Sequence, residues 1–146
     1  MRNFRDLNRT SYVQHEMKQN RIIDRIYNKL KAGLNIQVRR EVVAHIWSKH
    51  GCRKNAQKWS GNFDKRIPSY FFNEYQLVKA IIEATSLLSE EWIQQFPNQI
   101  YVFASFEEPI GRSVVNISRT MSVLCMSSFV LVILNRHQGL VTAYPI

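Results

Sequence analysis

Cysteine is scarce in this 146-residue chain, which has only Cys52 and Cys125. Two thiols cannot build the disulfide framework that small secreted scaffolds depend on; they could form one bridge, but two free thiols, one buried and one half-exposed, are expected. No Cys-x2-Cys or His-Glu-x2-His spacing occurs, so no metal site is expected and no cofactor is called for. Long apolar runs are also missing. The longest, about Met121 to Leu134, is interrupted by Ser122, Ser127 and Ser128. It is too short to cross a bilayer and reads as a buried strand, so stable membrane association is not expected. Residues 1–12 carry Arg2, Arg5, Asp6 and Arg9 without an apolar stretch, which does not read as a secretory leader.

Acidic residues are few as well: 11 Asp and Glu against 20 Lys and Arg, a net charge of +9. The imbalance is local. Residues 1–66 hold 16 basic and 5 acidic side chains, whereas residues 67–146 hold 4 and 6. A cationic half of this kind suits a polyanion: nucleic acid, an anionic membrane or an acidic protein. A solvated helical face would look similar, but the asymmetry favours nucleic acid. With 45% hydrophobic and 21% charged residues, the chain is long and apolar enough for one packed domain.

Residues 1–12 lack periodicity and read as a flexible lead-in to a single domain over 13–146. Val13, Met17, Ile22, Ile23, Ile26, Tyr27 and Leu30 recur at helical steps, predicting an amphipathic helix from Ser11 to Ala32 that Gly33 ends. Asn35 is read as the cap of a second helix over 36–49, buried through Val38, Val42 and Ile46. Residues 52–70 are polar and irregular. Asn73 opens a third helix, to about Ser89, which caps a short one that buries Trp92 and Phe96. After Pro97 the pattern changes to strands, at about 100–106, 112–118, 124–134 and 140–144, with a turn at Arg136-His137-Gln138-Gly139. Helices over 13–96 followed by an antiparallel sheet over 99–146 make the fold class α+β.

The stretch His45-Ile46-Trp47-Ser48-Lys49-His50 holds the chemistry. Histidine titrates near neutrality and serves as general acid or base. His45 and Lys49 share one helical face, and His50 is expected at the helix C-terminus. There the macrodipole raises an imidazole's pKa and favours the protonated form. His50 is expected to be partly exposed. Arg53, Lys54, Lys58 and Trp59 follow, and interleaved cations and aromatics suit phosphates and unpaired bases. Trp59 serves equally well as a loop anchor. Thr142 and Tyr144 alternate on one strand and therefore share a face.

Taken in order, His45-x4-His50 with Lys49 and Gly51, a helix around Ala80, Pro109-Ile110-Gly111-Arg112, a hydrophobic strand and Thr142-Ala143-Tyr144-Pro145 resemble the bacterial ribonuclease A-like toxin domains. Those domains form the C-terminal tips of contact-dependent growth inhibition proteins and other polymorphic toxins. The resemblance covers roughly residues 40–146. It implies a ribonuclease A-like fold and a metal-independent endoribonuclease that leaves a 2′,3′-cyclic phosphate. His50 would be catalytic, Thr142 and Tyr144 would line its site, and His45 would orient it. Lys49, Arg53, Lys54, Lys58 and Arg112 would hold RNA. The family places an arginine about three helical turns after the histidine. This sequence departs there, because no helical pattern follows His50, so Arg66 or Arg53 would supply the charge. The implied partners are an RNA substrate and an acidic cognate immunity protein. The implied route is delivery from a larger cell-surface toxin into a target cell's cytoplasm. A nuclease toxin of EndoU-like or RelE-like fold and a non-catalytic basic RNA-binding domain remain as alternatives. A binder of that second kind would show salt-dependent affinity without cleavage.

Overall fold

A computed structural model describes residues 4–61, 67–96 and 98–146. Five helices, α1 (Phe4–Gly33), α2 (Arg40–His50), α3 (Arg53–Ser60), α4 (Glu74–Thr85) and α5 (Glu90–Gln94), precede or flank six strands. The strands are β1 (Tyr70–Phe71), β2 (Ile100–Ser105), β3 (Gly111–Asn116), β4 (Ser122–Ser127), β5 (Phe129–Asn135) and β6 (Gly139–Pro145). They form two antiparallel three-stranded sheets, in the orders β1-β3-β4 and β2-β5-β6. The fold is α+β, with two sheets where the sequence suggests one.

The core lies between the helices and the second sheet. Ile26 and Leu30 of α1, Val43 and Ile46 of α2, and Leu77 and Ile81 of α4 are buried in one cluster with Val130, Val132, Leu134, Leu140 and Ala143. Val130, Val132 and Leu134 alternate along β5 and share the face toward this cluster, while Leu131 is buried on the other face. They pair with β2 on one side and β6 on the other. Asn73 caps α4 by accepting from the Gln76 amide, and Ser89 caps α5 by accepting from Trp92.

Several boundaries differ from the sequence expectation. The first helix begins at Phe4 rather than Ser11, and neither proline nor glycine stands between Phe4 and Gly33 to stop it. Residues 34–39 form a non-helical connection with a bend at Asn35–Ile36. Leu34, Ile36 and Val38 are buried while Asn35 and Gln37 are exposed, a period of two. The Gln37 carbonyl accepts from the Leu140 amide, which ties this segment to β6. Helix α3 occupies part of the stretch read as irregular. Its eight residues include few apolar ones, and Asn55 is buried because its amide donates to the Trp47 carbonyl at the end of α2. The single strand expected over 124–134 is two strands, β4 and β5, in different sheets. Buried Ser127 marks the crossing, its hydroxyl donating to the Ile146 carbonyl and accepting from the Phe129 amide. Trp92 and Phe96 are exposed; Ile93 is the residue of α5 that is buried.

The two sheets meet at Gly111. A Cβ there would stand 2.2 Å from the Tyr70 carbonyl oxygen and 2.9 Å from Pro145 Cγ. Only a residue without a side chain lets β1, β3 and the end of β6 approach this closely. Gly139, with φ of +72°, makes the turn into β6 in a conformation that other residues avoid.

Candidate functional site at the end of helix α2

Helix α2 buries Val42, Val43, Ile46 and Trp47, and the same stripe carries His50 inward at its last turn. His50 is 5% exposed, not the partly exposed residue its place before Gly51 suggests. Two groups hold the ring. Nδ1 is 2.6 Å from the Ser69 carbonyl oxygen, just ahead of β1. A carbonyl only accepts, so Nδ1 bears the hydrogen and Nε2 keeps its lone pair. The Tyr144 ring stacks on the imidazole, with centroids 5.0 Å apart and planes 25° apart.

These contacts reverse the expected electrostatics. The His50 pKa is lowered to about 4, first by burial. The Ser69 hydrogen bond pulls the other way, and the charges of Lys49 and His45 lower it further. Desolvation penalises the cation more than the helix end favours it, so the ring is neutral at pH 7. A neutral imidazole with its hydrogen fixed on Nδ1 can take a proton at Nε2, and it is not a resting acid.

Next to this pair lies a cleft of about 460 Å³ between the loop before β1, strand β3 and the end of β6. Tyr144 and Ser69 line it together with Ser113 and Asn116. Both residues that hold His50 therefore form part of its wall. Thr142 stands two residues before Tyr144 in β6, opposite Ile133 where Tyr144 is opposite Leu131. The two share a face and are half-buried, and no direct bond joins Thr142 to His50.

His45 is exposed, and its ring meets Trp59 edge-on at 5.4 Å. Lys49 Nζ stands 5.4 Å from the centre of the same indole. The His45 pKa is lowered by partial burial and then by Lys49. The remaining cations spread outward. Arg53 and Lys54 open α3 and are exposed, and Lys58 Nζ is 2.9 Å from His15 Nε2. Arg112 is half-buried in β3 opposite Tyr70 and Met126. None of Arg53, Lys54, Lys58 and Arg112 touches His50 among the described residues. Arg66 lies outside them. The ion pairs formed among the described residues join Arg25 and Lys29 to Glu74, Arg39 to Glu41, and Arg40 at the start of α2 to Asp24, and include none of Lys49, Arg53, Lys54 and Lys58.

Sequence reasoning missed Ser69, which acts through its backbone and leaves no side-chain signal. It also missed Ser113 and Asn116, and the partnership of His15 with Lys58. A helix, α3, does follow His50, but its one arginine, Arg53, is its first residue rather than three turns on. Among the described residues no group of three or more His, Cys, Asp or Glu is placed to hold a metal, and no helix is long and apolar enough to cross a membrane. Cys52 is half-buried and Cys125 exposed, both free.

No family model matches the chain, and no curated protein matches it in sequence. In fold it is similar to a chain of the crystal structure of a CdiA-CT/CdiI complex from Y. kristensenii 33638. That likeness has a TM-score of 0.52 at 13% identity, over 70% of this chain and 98% of the other.

Proposed function

We propose that this domain is the toxic tip of a contact-dependent growth inhibition protein and acts as an endoribonuclease. The observation that carries the chemistry is His50, neutral, fixed through Nδ1 to the Ser69 carbonyl and stacked on Tyr144 beside an open cleft. The fold likeness to a chain of a CdiA-CT/CdiI complex supports the class. In the reaction, Nε2 takes the proton from an RNA 2′-hydroxyl. That oxygen bonds to the adjacent phosphorus and the bond to the 5′-oxygen breaks, leaving a 2′,3′-cyclic phosphate. Tyr144 is the one phenol among the residues lining the cleft, and in this reading it donates its proton to the departing oxygen. Thr142 contributes a hydroxyl on the same strand face, and an arginine, Arg66 or Arg53, supplies charge to the phosphorane. A phosphodiester anion beside the ring favours its charged form, so bound RNA raises the basicity that burial removes.

The proposed reaction uses no metal. Total RNA incubated with the purified protein in EDTA should be cut to fragments ending in 2′,3′-cyclic phosphate, read by gel and end-group analysis. Abolition of cutting by chelation would overturn the mechanism. The proposed partner is an acidic immunity protein covering the cationic α2–α3 face and the cleft. In this reading the domain reaches the cytoplasm of a target cell as part of a larger cell-surface toxin. The burial of His50 favours a second reading, a structural histidine in a basic RNA-binding domain. Under it the same incubation gives binding without fragments.

A further inference from the structure

Helices α1, α2 and α3 enclose a second cavity, of about 300 Å³, that shares no lining residue with the cleft at Tyr144. Its apolar surface comes from Ile23, the buried Trp47 and Trp59, which is 41% exposed. His15 and Lys58 stand at its edge, and no carboxylate lines it. We propose that this cavity is a subsite for one unpaired nucleotide of the RNA substrate, with the base against Trp59 and the neighbouring phosphate at Lys58 and Lys49. The proposal rests on the ribonuclease reading for the identity of its ligand.

Three features carry it. First, the indole is held before any ligand arrives, with His45 edge-on at 5.4 Å and the Lys49 ammonium at 5.4 Å. An aromatic side chain fixed in place loses little entropy when a base stacks on it. Second, the cations are positioned rather than dispersed. The Lys58 ammonium is 2.9 Å from the His15 ring nitrogen, at the cavity edge. Aromatic surface flanked by cations, without an acid, matches a nucleotide: a π-face next to a negative charge. The volume is at the lower end of small-ligand sites, which fits a single base and excludes a duplex. Third, Lys49 links this cavity to His50. It contacts Trp59 and also lies close enough to His50 to lower that group's pKa.

The test uses a short fluorescent 2′-O-methyl oligoribonucleotide, whose blocked 2′-oxygen cannot attack, with and without abasic positions. Trp59→Ala is expected to weaken binding of the intact oligonucleotide about 5- to 100-fold, the usual range for one stacked base. On the abasic oligonucleotide it should lose nothing further, and Trp59→Phe should restore most of the loss. Lys58→Ala should weaken both ligands alike and lower the slope of log K against log salt by about one. Equal losses for Trp59→Ala on both ligands, or none on either, would overturn the subsite. The result separates from the fate of the nuclease reading. Wild-type protein that binds through Trp59 yet never cuts RNA would remove only the nuclease. Protein that cuts RNA while Trp59→Ala binds normally would remove only the subsite.

Discussion

His45 and His50 are five residues apart on one helix and live in opposite surroundings. His50 is nearly sealed from water, bonded to a backbone carbonyl and stacked on a tyrosine from the last strand. His45 is exposed and its ring meets Trp59 edge-on. Burial lowers both pKa values, but His50, the more deeply buried, falls to about 4, with Lys49 and His45 adding to the effect of desolvation. The helix end, which alone would have raised the His50 pKa, is outweighed by desolvation. Sequence position told which histidine ended the helix, and packing decided what that ending meant.

The largest effect expected from this contrast is on cleavage. His50→Asn keeps an amide N–H for the Ser69 carbonyl but has no basic nitrogen. It should lower RNA cleavage by about 100- to 10,000-fold, measured at saturating and limiting RNA. The alanine variant is a poorer probe. It leaves a buried carbonyl without its donor and removes a stacked ring, a loss of about 1–3 kcal/mol visible in thermal melting. A folded His50→Asn protein that cuts RNA at the wild-type rate would assign the proton transfer elsewhere.

What the sequence revealed and what it hid divide along the range of the interactions. The register of Ile22, Ile26 and Leu30, the caps at Asn73 and Ser89, and the β-rich terminus depend on near neighbours and were legible. Ile36 and Val38 were read as the start of a helix because short alternation and helical spacing share positions. Their non-helical state depends on Leu140, a hundred residues away in sequence. Helix α3 was hidden because its apolar content is small and its buried Asn55 looks like a loop residue. The site was half legible. His50 and Tyr144 were named, but their stacking and the Ser69 carbonyl are tertiary facts. Thr142 shares the expected face with Tyr144 without a direct bond to His50.

Acid should expose the same contrast in stability. The folded-state pKa of His50 lies below its unfolded value near 6.5. The unfolded chain therefore binds the proton more readily between the two values. The contribution is fully present above about pH 6.5 and is lost as pH falls toward about 4, amounting to about 3 kcal/mol. Denaturant melts of the wild type across this window should show that loss, and His50→Asn should flatten it. Parallel pH profiles for the two proteins would mean that His50 binds its proton alike in the folded and unfolded chains, so that folding does not lower its pKa.

The smallest effect belongs to His45→Ala, and its size decides whether the two histidines act as one unit. Among the described residues the His45 side chain makes no hydrogen bond, and its ring contact is with the half-exposed Trp59. Truncating it should change stability by no more than about 0.5 kcal/mol, as for most surface substitutions. Its effect on cleavage should come through Trp59 and Lys49. Releasing the indole loosens a binding element rather than the proton transfer, so KM should rise by less than about tenfold while kcat holds. The His50 pKa should move slightly upward as a nearby cationic group is removed, which the acid limb of kcat/KM reports. A fall in kcat comparable to that of His50→Asn would make His45 the second proton-transfer group and merge the two environments into one catalytic pair.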